Sequence, residues 1–108
     1  MMEVVDLSEV KFTAFDWDEG NRNKNWLRHK ATNEESEQIF YNQPLVVFED
    51  KKHSQKEKRL VAYGVTDEGR KLTAVFTIRG DKIRIVSARD QNKKERRTYE
   101  KNKKHSTI

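Results

Sequence analysis

Three strand-like runs in the second half of the chain, 59–66, 71–79 and 82–88, are separated only by short turns at 67–69 and 80–81. Connections this short permit only antiparallel hairpins, because a parallel crossover needs a dozen or more residues. A three-stranded meander is therefore the predicted centre of the fold. Alternation along its middle strand puts Leu72, Ala74, Phe76 and Ile78 on one face and Thr73, Val75, Thr77 and Arg79 on the other. In the last strand Ile83 and Ile85 oppose Arg84, Val86 and Ala88. One face is apolar enough to receive helices. The other mixes β-branched residues with arginines, as a sheet facing nucleic acid would, and as an ordinary solvated face would too.

The rest of the chain supplies the layers around that meander. Residues 1–10 read as a loosely attached lead-in and 11–16 as a short first strand with Phe12, Ala14 and Asp16 on one face. Asp16 or Asp18 offers an N-cap for a helix over 19–29, with Trp17, Trp26 and Leu27 as its anchors, although Asn21, Asn23 and Asn25 lower its helicity. Thr32 and Glu35 form a candidate capping box, opening a second helix that points Ile39 and Phe40 inward and stops at Asn42 and Pro44. A short apolar run at 45–48 and a polar loop over 49–58, with Lys51, Lys52, His53 and Lys56, lead into the meander. After Ala88 a basic helix follows, capped by Asp90, with Tyr99 as its sole large apolar group. The expectation is a single α+β domain over 1–108: an antiparallel sheet packed against N-terminal helices, with a basic C-terminal helix. A chain of 108 residues leaves room for one such core and little else.

Charge is unevenly placed. Residues 1–19 carry six acids against one lysine, whereas residues 79–104 carry eleven Lys or Arg against four acids, within a formal net charge of +5. The second segment should attract polyanions. The absence of cysteine excludes disulfides and thiolate metal sites, and His29, His53 and His105 lack metal-ligand spacing. Asp16, Asp18 and Glu19 form an acidic cluster, but strand alternation and helix capping account for the two aspartates, so no metal site and no cofactor is expected. No apolar run approaches the ~20 residues of a membrane span, and the acidic start lacks the pattern of a signal peptide. A cytoplasmic protein without membrane association is the expectation.

RNA chemistry asks for cations at phosphates and, for cleavage without metal, a base near the ribose 2'-oxygen, cationic stabilisation of a pentacoordinate phosphorus and a proton donor for the 5'-oxygen. Arg59, Arg79, Arg84, Arg89, Arg96 and Arg97 offer planar guanidinium forks for phosphate, and Lys93 adds to them. Arg59 and Arg79 sit at strand ends that antiparallel pairing brings together, and Arg89 lies across the last hairpin from the start of its neighbour. His29, Glu57 and Tyr99 are the candidate proton movers. Each has an ordinary structural use as well: a helix C-terminal histidine, an ion-paired glutamate, a helix anchor.

These motifs resemble the BrnT-type toxins, RelE-like ribonucleases of type II toxin-antitoxin modules. The resemblance rests on Phe15-Asp16-Trp17-Asp18-Glu19 with Asn25 and Arg28-His29; on Gly64, Asp67-Glu68-Gly69-Arg70, Val75-Phe76-Thr77 and Arg79-Gly80; and on 83–89 with Lys94-Glu95-Arg96-Arg97 and Tyr99-Glu100. It covers about 12–100. It implies a RelE-like fold, metal-independent endoribonuclease activity that inhibits translation by cleaving RNA, mRNA in particular, and neutralisation by a cognate antitoxin whose DNA-binding domain carries the complex to operator DNA. Arg59, Arg79, Arg89 and Arg96 occupy positions matching the family's functional basic residues. Two positions depart from the pattern: Lys30 stands where the family has glycine, and Asn21 where it often has lysine. The competing reading is a noncatalytic nucleic-acid-binding or regulatory module of a similar pair.

Overall fold

A computed structural model describes Phe12, residues 14–53 and residues 57–105, without the side chains of Asn25, His53 and His105. The expected lead-in at 1–10, together with Lys11, Thr13 and Lys56, lies outside the described residues. The elements run β1 (Ala14–Phe15), α1 (Lys24–His29), α2 (Asn33–Gln38), β2 (Val46–Glu49), β3 (Arg59–Val65), β4 (Lys71–Arg79), β5 (Lys82–Asp90) and α3 (Lys93–Asn102). Short 3-10 turns occupy Lys51–His53 and Lys103–His105.

The meander forms as expected, with β2 added antiparallel to β3, in a sheet of order β1-β5-β4-β3-β2. The sheet is nevertheless mixed rather than wholly antiparallel, because β1 pairs parallel to β5. The intervening chain is long enough to make the crossover that hairpin-length turns forbid elsewhere. On the first face, Leu60, Ala62, Leu72, Ala74, Phe76, Ile83 and Ile85 meet Ile39, Phe40 and Leu45 in the main core. Phe40 packs edge-on to Phe76 at 5.0 Å between centroids. Gly64 lets α2's end approach the sheet, since a Cβ there would lie 2.8 Å from that of Ile39.

Ala88 departs from the simple alternation. Val75 pairs with Ser87 but Phe76 with Ile85, so Val86 is an extra, unpaired residue at a β-bulge. The bulge turns Ala88 into the main core beside Ile83 and Ile85, and brings Arg89, opposite Thr73, onto the same face as Arg84, opposite Thr77.

The helices show four further differences from the sequence reading. The first is shorter than 19–29. Asn21 folds its side chain back into the turn before it, and Asn23 takes a left-handed conformation with φ 61°, so regular helix starts only at Lys24. Neither Trp26, 46% exposed, nor Leu27, 78% exposed, anchors it; only Trp17 does part of that work, packing at the core's edge and donating to Glu37 at 2.6 Å. Instead of lying flat on the sheet, this segment covers the edge of β5 beyond β1's end: the Asn21 amide donates to the Ile85 carbonyl at 3.0 Å and Lys24 Nζ to that of Val86 at 3.4 Å. Finally, Asp90 does not cap α3, because β5 runs through it and it pairs with Arg70; Asn92 caps instead, in a reciprocal box with Glu95. The Thr32–Glu35 box at α2 forms as the sequence implies.

Candidate active site

On the second sheet face a smaller cluster, Val46, Phe48, Val61 and Tyr63, receives Tyr99 of α3. Tyr99 is 1% exposed and its hydroxyl donates to the Pro44 carbonyl at 2.6 Å, while burial pushes its pKa up to about 12. It is the anchor of α3. α3 thus covers the β2–β3 side of this face. The β4–β5 side remains for the arginines.

Register lines up Arg59, Thr77 and Arg84 in one row across β3, β4 and β5, with Arg79 two residues beyond Thr77. Three carboxylates meet these cations. Arg84 grips Asp18 with two bonds of 2.9 Å, and Arg79 grips Glu57 at 2.9 and 3.4 Å. Asp16 stands between them, its two oxygens 3.5 Å from Arg84 and 4.0 Å from Arg79. The Arg84 fork, then the Gly20 amide, hold the Asp18 carboxyl below its ordinary value, and the Arg79 fork does the same for Glu57. Arg79 and Arg84 are pushed up correspondingly by those same bonds. Glycine at 20 keeps this arrangement open, because a Cβ there would come within 3.1 Å of both Arg84 Nη2 and Asp18 Oδ1. Beneath the row the Thr77 hydroxyl is buried without a hydrogen-bond partner among the described residues.

The other candidates are not brought to this cluster. Arg89 lies five residues along β5 from Arg84, roughly 15 Å at strand rise, and ties the strand to α3 through two bonds to Glu95 of 2.7 and 2.8 Å. Burial disfavours the Glu95 carboxylate, but the Arg89 fork and the Asn92 amide outweigh it and lower its pKa. His29 ends α1 near the opposite end of the sheet, where Arg70 gathers the carbonyls of His29 and Lys30, Glu35 and Asp90. Lys93, Arg96 and Arg97 lie with Lys101 on the exposed side of α3, and none makes an ion pair among the described residues. No group of three or more His, Cys, Asp or Glu side chains among the described residues is arranged to hold a metal.

The model of the family described as ribonuclease toxin, BrnT, of type II toxin-antitoxin system matches residues 17–95. The chain belongs to the BrnT family. That span holds every paired residue of the cluster except Asp16, which immediately precedes it. No curated protein matches the chain. Among the described residues no helix is long and apolar enough to cross a membrane.

The two departures from the BrnT pattern have local explanations. Asn21, 3% exposed, accepts from the Asp18 amide at 2.7 Å and donates to the carbonyls of Asp16 and Ile85, so it braces the segment after β1 that carries the two aspartates. The nearby Lys24 ammonium reaches the Val86 carbonyl at the edge of β5. Lys30 adopts the left-handed conformation, φ 55°, that glycine takes most easily. Sequence reasoning missed Asp16 and Asp18 as arginine partners, along with Gly20 and Thr77. The alternation that put Asp16 opposite Phe15 was the available signal; the crossover that sets it beside Arg84 had none.

Proposed function

We propose that this BrnT-family chain is a metal-independent endoribonuclease toxin that cleaves RNA, mRNA in particular, inhibits translation in the cytoplasm and is neutralised by a cognate antitoxin whose DNA-binding domain takes the complex to operator DNA. The observation that carries the reading is the cluster of Arg59, Arg79 and Arg84 with three carboxylates on the part of the sheet that α3 leaves uncovered. The guanidiniums supply the charge that a pentacoordinate phosphorus needs, and a carboxylate supplies a base without a metal. Arg89, Lys93, Arg96 and Arg97 extend cationic surface toward α3, where phosphates away from the reacting one would bind. Of the proton movers read from sequence, Glu57 stays in the cluster, and His29 stands too far along the sheet to join it.

Incubating the purified protein with RNA in EDTA tests this. Cleavage that persists in the chelator and falls ~10²- to 10³-fold in Arg79→Ala is the expected result, the usual loss for one group stabilising transition-state charge. The second reading, a noncatalytic nucleic-acid-binding module, is favoured by the carboxylates that already occupy Arg79, Arg84 and Arg89. RNA binding with no turnover under the same conditions would establish it.

A further inference from the structure

We infer that Asp16 is the general base of RNA cleavage, its carboxylate accepting the ribose 2'-hydroxyl proton between the guanidiniums of Arg79 and Arg84; this rests on the ribonuclease reading above. Three carboxylates share the cluster, and two are committed: both oxygens of Asp18 receive Arg84 and both oxygens of Glu57 receive Arg79. The Asp16 oxygens stand off at 3.5 and 4.0 Å and accept no hydrogen bond among the described residues, which leaves their lone pairs for a substrate hydroxyl.

Its position is fixed independently of its side chain. The Asp16 amide donates to the Ile83 carbonyl at 2.8 Å, and its own carbonyl accepts from Asn21 at 2.8 Å. Phe15 points into the main core, so strand alternation sends Asp16 to the arginine face, where its side chain is 29% exposed. Across Arg84 from Asp16, in the same row of the sheet, the Thr77 hydroxyl is buried with no hydrogen-bond partner among the described residues. A phosphate held by Arg79 and Arg84 brings the adjoining 2'-oxygen to Asp16. The proton passes to Asp16 as the 2'-oxygen bonds to phosphorus. The bond from phosphorus to the 5'-oxygen then breaks, and the leaving oxygen keeps the electron pair and takes a proton from water. The products are a 2',3'-cyclic phosphate and a 5'-hydroxyl, with no change of oxidation state.

Single-turnover cleavage of a defined RNA in EDTA, beside equilibrium binding of its 2'-deoxy analogue, tests the assignment. Asp16→Asn is expected to slow cleavage by ~10²- to 10⁴-fold, the range of a lost general base, while affinity changes less than about threefold. Asp16→Glu should restore part of the rate, and Asp18→Asn should lose less than Asp16→Asn because it disturbs only the placement of Arg84. A thermal melt of each variant separates loss of chemistry from loss of fold. If Asp16→Asn cleaves at the wild-type rate, or loses rate and affinity together, the assignment is wrong while the ribonuclease reading stands. A wild type that binds RNA and never cleaves it overturns both.

Discussion

The arginines of the sheet and the cations of α3 carry the same kind of charge but differ in what already holds them. Arg79, Arg84 and Arg89 are each gripped through two bonds by one carboxylate, whereas Lys93, Arg96 and Arg97 face outward with no ion pair among the described residues. A paired guanidinium contributes little net attraction at long range, but its orientation is set before a ligand arrives, which is what charge stabilisation in a reaction requires. An unpaired cation on a helix has the opposite properties: it draws polyanions and fixes little. Net charge, read along the chain, cannot distinguish the two.

The comparison fails if the regions are not separable, and Tyr99 is the way to test that. It holds α3 on the sheet, so Tyr99→Ala should destabilise the protein by about 3–5 kcal/mol, as large-to-small changes of buried aromatic residues do. Urea unfolding measures this. Tyr99→Phe, which removes only the bond to Pro44, should lose about 1 kcal/mol. If the alanine variant unfolds as the wild type does, α3 is not anchored there and its cations cannot be assigned a fixed place beside the sheet.

Removing the α3 cations together, Lys93→Gln with Arg96→Gln and Arg97→Gln, sharpens the contrast. RNA affinity should fall, and the slope of log Kd against log salt should flatten by about 2, near 0.7 for each lost phosphate contact on a single strand. Cleavage at saturating RNA should fall far less than in Arg79→Ala. A flattened slope in Arg79→Ala and none in the triple variant would reverse the division.

Arg89 belongs to the paired set by geometry, yet its pairing serves the fold. Glu95 has a lowered pKa, so its contribution to stability is fully present above the ordinary glutamate value of 4.5 and is lost as pH falls through the lower folded value. Glu95→Gln should therefore be about 1–2 kcal/mol less stable than wild type near pH 7, with the gap closing below pH 4.5. Melting curves of both proteins across that interval check it.

Most of the meander was legible because hairpin turns and period-two alternation are local properties of a strand. Leu72, Ala74, Phe76, Ile83 and Ile85 follow the alternation into the core. Ala88 does not, and the reason is the bulge at Val86, whose presence depends on how β4 and β5 pair rather than on either strand alone. The arginines of the cluster were legible as residue types at strand ends. Of their carboxylates only Glu57 was: Asp18 and Arg84 are 66 residues apart in the chain, and only β1's parallel pairing with β5 brings them together. The short first helix shows the same limit, since Asn21 left the helical pattern for a carbonyl of β5 that no local rule could reveal.

Lys30 offers the smallest effect and a control on charge itself, because it is a cation of neither set. Its φ of 55° costs an ordinary residue roughly 1–2 kcal/mol relative to a right-handed conformation, and glycine is largely exempt. Against that gain, Lys30→Gly gives up the ammonium 5.2 Å from the Trp26 ring, worth about 0.5–1 kcal/mol at an exposed site. The bonds from Arg70 to the carbonyls of His29 and Lys30 involve only the backbone there and survive the change. The conformational term exceeds the cation–π term, so Lys30→Gly should stabilise the protein by about 0.5–1 kcal/mol in urea unfolding. RNA affinity and its salt slope should stay at wild-type values despite the lost charge. A slope that flattens as it does for an α3 cation would mean that long-range charge, not placement on α3, governs binding, and the contrast between the two sets would lose its basis.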